Sequence, residues 1–281
     1  MNCVARIYII ASIVLIFGGI TTVCAGGMVN ITPQYIFMDG NQRSIPVNVA
    51  NTSAEPVEVW FEFQYGYNSN DSANNVTVLL PDTVGPDEPS AASWIRAYPA
   101  RFVLNGQESQ TIRLLVEPPG GVRAGEYWAR VLVVSKAMNG PTINGRSVRG
   151  TSVQMIVKTS VPLMYRVGIV DSHVKLLRQP EYKVDAKNLT MMLPLRREGN
   201  ASYWGAVDCI VKNSNGRQVM QQNFKVVVYK DFVLPMKLDR SELPPGDYSV
   251  TMIARSVRPD VKPAKLIQSE PITWTIPVRI Q

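Results

Sequence analysis

Apolar residues alternate with polar ones in short runs along most of the chain, and Gly, Pro, Asn and Asp bound these runs. An alternation with a period of two predicts β-strands with one buried face, and no stretch keeps a helical period. In the first half the pattern predicts strands at 29–38, 44–51, 56–64, 102–104, 109–117, 127–135 and 151–161. In the second half it predicts strands at 187–195, 203–212, 218–229, 233–238, 248–256 and 267–280. The fold class is therefore predicted to be all-β.

Two segments repeat one signature, GEYWARV at 125–131 and GDYSVTM at 246–252, and each follows a turn rich in Pro or Gly. In immunoglobulin-like sandwiches a tyrosine near the start of the sixth strand packs in the core and binds upstream backbone through its hydroxyl. Tyr127 and Tyr248 are 121 residues apart, which suits one such sandwich and its connections. We therefore predict two tandem immunoglobulin-like β-sandwich domains, at 26–166 and 167–281. Chance recurrence of a common turn is the alternative.

The connection between the two predicted domains is short. No Gly/Ser-rich or Pro-rich linker separates them, which favours a fixed angle over free tethering. Residues 68–93 are polar and contain three prolines, so we expect a long surface excursion there, with 76–80 as a stray strand.

The N-terminal segment is typical of a secretory signal peptide, predicted at 1–25. Arg6 precedes an apolar run at 7–20, and Val23 and Ala25 suit a small-residue cleavage site. The run is shorter than the roughly 20 residues that span a bilayer as a helix, so no stable membrane insertion is expected. The protein is therefore expected to be exported from the cytoplasm.

The charge and the cysteines narrow the function further. The chain has 29 Lys and Arg against 22 Asp and Glu, spread without a basic stripe interleaved with aromatics, so nucleic acid binding is not expected. Cys3 and Cys24 fall within the predicted signal peptide, which leaves Cys209 without a disulfide partner. Because Cys209 lies in an alternating run, we expect a buried core thiol.

Catalytic chemistry has little support in the sequence. The single histidine, His173, is predicted as an exposed loop residue, and neighbours at 171 and 172 are too close in sequence to form a triad with it. No phosphate-binding, dinucleotide-binding or calcium-binding motif occurs. We therefore predict no enzyme, no cofactor and no metal site, although acids that converge from different strands stay an open alternative.

The predicted strand at 151–161 carries the best candidate for partner binding. Its alternation places Val153, Met155 and Val157 on one face. At the edge of a sandwich, such a strand offers unpaired backbone and a row of apolar side chains to an incoming chain. The alternative is that the row only fills this domain's own core.

Residues 29–168 resemble the PapD-like periplasmic chaperones of pilus and fimbria assembly. The segments that carry the resemblance are VNITP at 29–33, PARFVL at 99–104, GQESQTIR at 106–113, the Gly-, Asn- and Pro-rich stretch at 136–150, and LMYR at 163–166, which is similar to the LFYR that ends the family's seventh strand. The second half of the chain is similar by its sandwich pattern only.

The resemblance implies donor-strand complementation. It also implies a periplasmic location, with secretion or display at the cell surface as the alternative. Val153, Met155 and Val157 would enter the groove of an incomplete pilin-like or other extracytoplasmic β-rich subunit, and an outer-membrane usher would be a further partner. The family also grips the subunit's terminal carboxylate between an arginine and a lysine, but those places hold Tyr35 and Pro162 here. Lys158 and Arg166 are therefore the candidate carboxylate anchors.

The alternative function is a secreted structural or adhesive two-domain protein without chaperone activity. Such a protein would bind through loops such as 68–93, because loops carry much of the recognition in β-sandwich proteins.

Overall fold

The computed structural model describes residues 29–138, 142–143, 146–147 and 155–281. These residues form two β-sandwiches without an α-helix, which confirms the predicted all-β, two-domain fold. The predicted signal peptide and Val153 lie outside the described residues.

The first sandwich contains the strands up to residue 167. They are β1 (Val29–Thr32), β2 (Ile36–Asp39), β3 (Ser44–Asn51), β4 (Val57–Gln64), β5 (Tyr67–Asn70), β6 (Val76–Leu79), β7 (Ile95–Tyr98), β8 (Arg101–Leu104), β9 (Ser109–Val116), β10 (Gly125–Ala137), β11 (Thr142–Ile143), β12 (Arg146–Ser147) and β13 (Ile156–Val167). One sheet has the order β1-β3-β9-β7 and the other β2-β13-β10-β4-β8.

The second sandwich follows directly. Its strands are β14 (Ser172–Leu176), β15 (Glu181–Val184), β16 (Asn188–Gly199), β17 (Tyr203–Asn213), β18 (Gln218–Val228), β19 (Asp231–Asp239), β20 (Gly246–Arg255) and β21 (Ile272–Ile280). One sheet has the order β14-β16-β15 with β19 also on β16, and the other has the order β18-β17-β20-β21. Short 3₁₀ turns lie at Ala92–Trp94, Arg240–Glu242 and Pro263–Lys265.

The first predicted strand, 29–38, is divided between both sheets of its sandwich. β1 pairs with β3 in one sheet, whereas β2 pairs in parallel with β13 in the other. Pro33 lies between them, and because proline has no N–H to donate to a ladder, the chain leaves the first sheet there. The N-terminal segment thus closes one side of the sandwich.

Each sandwich has its own apolar core. In the first, inward residues of the central strands are buried, among them Val131 and Val133 of β10 and Leu163 of β13. In the second, the core contains Cys209, which confirms the predicted buried thiol. Burial raises the pKa of the Cys209 thiol to about 12, so it stays a protonated core group at neutral pH.

Both tyrosine corners are present. The hydroxyl of Tyr127 donates to the carbonyl of Arg123 at 3.0 Å, and that of Tyr248 donates to the carbonyl of Pro244 at 2.7 Å. The repeated signature therefore marks the same corner in both sandwiches.

Six short strands do not follow from the hydrophobic pattern: β5, β7, β11, β12, β14 and β15. Each has two to five residues, too few to show a period. One consequence concerns His173, predicted as a loop residue. It lies in β14, where its Nε2 is 3.2 Å from the carboxylate of Glu198.

Candidate functional site

The last strand of the first sandwich, β13, is paired on one side along its whole length and on the other side for only part of it. β10 pairs with it from Ile156 to Val167, but β2 covers only Leu163 to Arg166. In the described part of the chain, no strand pairs with the outer edge of 156–162. We call this segment the open edge. Its unpaired N–H and C=O groups can add a strand from another chain.

Apolar side chains are exposed at the first residue of the open edge and at the residue just before it. Met155 is 51% exposed and Ile156 is 53% exposed, whereas Val157 is partly buried and Val161 belongs to the core. The alternative that the row fills its own core therefore holds for Val161, but not for Met155. The donor role of Val153, Met155 and Val157 stays a prediction. Sequence reasoning missed Ile156, because the alternation places it on the polar face.

The two predicted carboxylate anchors are already bound to carboxylates. Lys158 Nζ lies 2.7 Å from Glu62 on the outer face of the sheet. Arg166 is largely buried and donates to Glu126 at 2.8 Å through Nε and to the carbonyl of Lys265 through Nη1. Their role towards a partner stays a prediction, and each would have to exchange or share its present acidic neighbour.

Glu126 joins the two sandwiches. Its buried carboxylate accepts hydrogen bonds from Trp128 Nε1 at 3.0 Å and Arg166 Nε at 2.8 Å, both in the first sandwich. From the second sandwich it accepts bonds from the backbone N–H and the hydroxyl of Ser202. An apolar cluster from both sandwiches surrounds this network: Phe37, Tyr65, Tyr67, Trp128, Met164, Trp204, Val227, Tyr229, Val261 and Leu266. The angle between the two sandwiches is therefore fixed by apolar packing as well as by the hydrogen bonds of Glu126.

A cleft of about 540 Å³ lies between the sandwiches, at the end of the open edge. Ser160, Val161 and Pro162 of β13 form part of its lining. Its other lining residues are Gln34, Tyr35, Asn68, Val76 and Arg130 from the first sandwich, and Trp204, Lys225, Val226, Val227, Tyr229, Phe232, Leu234 and Arg258 from the second. A chain added along the open edge would thus meet this cleft.

Arg130 is a buried cation in the cleft wall. It stands opposite Pro162 in the β10–β13 register and is 4% exposed. Its Nη2 donates to Asn68 Oδ1 at 2.6 Å and its Nε to the carbonyl of Gly66 at 3.3 Å. Burial lowers its pKa, yet a guanidinium stays charged in proteins.

No carboxylate of the described residues forms an ion pair with Arg130. A buried charge without a counter-charge is costly, so this part of the cleft favours an anion. Sequence reasoning missed Arg130, although an arginine within the apolar run of β10 is the signal that could have found it.

The second sandwich places a paired cation on the opposite wall. Arg258 is 5% exposed and donates to both carboxylate oxygens of Asp260, at 2.8 and 2.7 Å. The hydrogen bonds from Arg258 are the largest cause that lowers the pKa of Asp260, and Lys225 adds to it. The hydroxyl of Tyr35 lies 3.3 Å from Asp260. Arg258 Nη2 also donates to this hydroxyl at 3.4 Å, so the position where the resemblance implies an arginine is bonded to an arginine of the other sandwich.

The predicted surface excursion at 68–93 begins with a hairpin that is fixed to the second sandwich. β5 and β6 pair antiparallel, and the side chain of Asn70 bonds both the N–H and the carbonyl of Val233, at 2.7 and 2.8 Å. Glu88 binds Lys230 at 2.6 and 2.7 Å and accepts a bond from the hydroxyl of Tyr65. Because Asn68 and Val76 line the cleft, the hairpin forms one of its walls.

Among the residues that the structure describes, no helix is long and apolar enough to cross a membrane. Nor do the described residues bring three His, Cys, Asp or Glu side chains together as a metal site.

No family model matches the chain, and no curated protein matches it. Solved structures do. The CsuC–CsuE chaperone–tip subunit complex from archaic chaperone-usher Csu pili of Acinetobacter baumannii is 12% identical, with a TM-score of 0.42 over 88% of this chain and 97% of that one. The CupB2 chaperone of Pseudomonas aeruginosa is 11% identical, with a TM-score of 0.38 over 88% and 98%.

A third match is the Salmonella enterica SafA pilin in complex with the SafB chaperone. It is 11% identical, with a TM-score of 0.39 over 89% of this chain and 96% of that one. All three matched structures contain a chaperone, and two of them also contain the subunit that the chaperone holds.

Proposed function

We propose that the protein is a periplasmic chaperone in the assembly of pili, fimbriae or a related surface structure. It would bind an incomplete immunoglobulin-like subunit by lending it the open edge of β13. The observation that carries the proposal is the half-paired β13, whose free part starts with the exposed Ile156, directly after the exposed Met155, and ends at the cleft. The predicted signal peptide supports the location.

Strand donation explains why this edge is left open. The subunit would form main-chain hydrogen bonds along 156–162, while the apolar side chains at the start of the edge enter its groove. Complete burial of one such side chain contributes about 1.5–3 kcal/mol, so Met155 and Val157 would carry much of the affinity. An exposed apolar edge is an aggregation hazard, which a chaperone tolerates because its partner covers it.

Arg130 supplies the anion-binding group in this proposal. A subunit strand that ends in the cleft would place its terminal carboxylate beside a guanidinium that lacks a carboxylate partner within the described residues. Charge-assisted hydrogen bonds to a carboxylate are about twice as strong as neutral ones and fix the position of the strand. Lys158 and Arg166 stay the alternative anchors. The role is one of binding, and we propose no catalytic step.

The proposal is tested by replacing Met155 and Val157 with Asp and measuring whether a β-rich subunit still co-purifies from the native compartment. We expect capture to be lost, because charged side chains cannot enter an apolar groove. The matched control is Val103→Asp in β8, at the far edge of the same sheet, where a valine is 47% exposed. This control should keep capture and thermal stability.

Two outcomes would contradict the proposal. If the double variant unfolds while V103D does not, Met155 and Val157 belong to the core. If the wild-type protein purifies alone from its native compartment, the structural or adhesive module becomes the better function.

A further inference from the structure

The β5–β6 hairpin carries an exposed apolar patch. Thirteen large apolar side chains are exposed in the described residues, and five of them lie at 76–84. Two of the five, Val76 and Val78, lie on one face of β6, and we call them the hairpin patch; the other three are Leu79, Leu80 and Val84. Clusters of exposed apolar side chains of this kind mark interaction sites more often than isolated ones do.

The patch is held on a rigid support. Asn70 fixes the hairpin to the second sandwich through both backbone groups of Val233. At its base, a Cβ on Gly66 would lie 2.4 Å from Leu80 Cδ2 and 2.8 Å from the carbonyl of Leu79, so the two arms approach as closely as only glycine allows. The apolar side chains are therefore presented in one fixed arrangement.

The patch is continuous with the cleft. In the hairpin register Val76 stands opposite Asn70 and Val78 opposite Asn68, so these four residues share one face. Asn68 on that face binds Arg130, and Val76 lines the cleft together with Ser160 to Pro162 of the open edge. A chain that follows the open edge into the cleft therefore reaches Val76.

We propose that the hairpin patch is a second contact for the subunit captured by β13, and this inference rests on the proposed function. The subunit would place an apolar surface, next to the strand that pairs with the open edge, against Val76 and Val78. A second copy of this chain is a poorer occupant. A stable dimer buries about 1,200–2,000 Å² in total, whereas β6 offers only four residues of strand. The small patch is large enough to extend an interface that the open edge of β13 already forms.

The test is the variant V76T/V78T, which keeps the β-branched shape and strand propensity while it replaces methyl groups with hydroxyls. We expect the dissociation constant for the purified subunit, measured by calorimetry, to rise about tenfold, mainly through faster dissociation. V103T is the matched control on an exposed strand away from the cleft and should bind as the wild type does. V76I/V78I, which keeps the patch apolar, should also retain the affinity.

The outcomes separate this inference from the proposed function. If V76T/V78T binds the subunit as tightly as wild type while M155D/V157D does not bind it, the hairpin inference is overturned and the function stands. If M155D/V157D also binds normally, the function itself fails. If light scattering shows a dimer of the wild type that V76T/V78T abolishes, the occupant is a second copy and the inference is overturned.

Discussion

The two halves of β13 differ in the number of strands that pair with them. The half with two partners belongs to the folded sheet, and the half with one partner is free to bind another chain. Residues 163–166 lie between β2 and β10 and contribute the buried Leu163, Met164 and Tyr165 to the packed interior. Residues 156–162 pair with β10 alone and begin with an exposed isoleucine. The same strand is thus a central strand at one end and an edge strand at the other. Residues 156–162 lack a second partner strand, and we propose that the subunit supplies it.

We call residues 163–166 the closed half of β13 and residues 156–162 its open half. The first prediction removes the carboxylate that binds Arg166 in the closed half. Glu126→Ala should lower the free energy of unfolding by about 4 kcal/mol, because it leaves the buried Arg166 and Ser202 without their shared acceptor. Chemical denaturation measures the loss. Glu126→Gln, which keeps an acceptor, should lose less, and equal losses in the two variants would contradict the hydrogen-bonded role of the carboxylate.

The second prediction compares the halves directly. Leu163→Ala should cost about 3 kcal/mol of stability, since Leu163 is fully buried between two strands. Ile156→Ala in the open half should cost less than about 1 kcal/mol, because Ile156 is 53% exposed. Urea unfolding of both variants checks the pair. Similar costs would mean that the open half is packed as tightly as the closed one.

The third prediction concerns Arg130, opposite Pro162, where the open edge meets the closed half. Arg130→Lys should weaken binding of a peptide copied from the last strand of the subunit about tenfold, because an ammonium cannot reproduce the fork of a guanidinium. The readout is the affinity ratio of the peptide with a free carboxylate to the same peptide with an amide terminus. This ratio should fall in the variant, and an unchanged ratio would exclude Arg130 as the anchor.

The smallest effect on stability is expected from lowering the pH. Burial acts to raise the pKa of Glu88, but hydrogen bonds from Lys230 and Tyr65 outweigh it and the pKa is lowered. A lowered folded-state pKa stabilises the protein above the ordinary pKa of about 4.3 and loses this stabilisation as the pH falls through the lowered value.

For the partly exposed Glu88 we expect a loss of about 1 kcal/mol or less, and the hairpin beside the open half should loosen before the closed half does. Thermal unfolding of wild type and Glu88→Gln below pH 5 checks this. The variant should show the flatter dependence on pH, and identical curves would contradict it.

The long strands could be predicted from the sequence. A strand with one buried face alternates apolar and polar residues, and this alternation is visible when the strand has eight or more residues, as in β3 and β17. The tyrosine corners could be predicted because Tyr127 and Tyr248 follow the same glycine and acid. The division of the first strand at Pro33 and the short strand β14 could not be predicted. Both depend on which strands of the folded protein these residues pair with.

The candidate site was predicted only in part. Alternation placed Met155 and Val157 on one face, and their donor role stays a prediction. Whether the edge is open depends on how far β2 runs along β13, and this is a property of the assembled sheet. The arrangement of Arg130, Asn68 and the hairpin has no local signal, because these residues meet through pairing of strands that are far apart in the sequence.

The split N-terminal segment also sets an order of assembly. β1 needs only β3, which is complete at residue 51, whereas β2 must wait for a partner 127 residues further along the chain. A chain that is synthesised from its N-terminus can therefore place the first part of this segment early and the second part only after residue 166 has appeared. Long-range pairing of this kind is slow. Until this late pairing with β2 forms, the whole of β13 has one unpaired side.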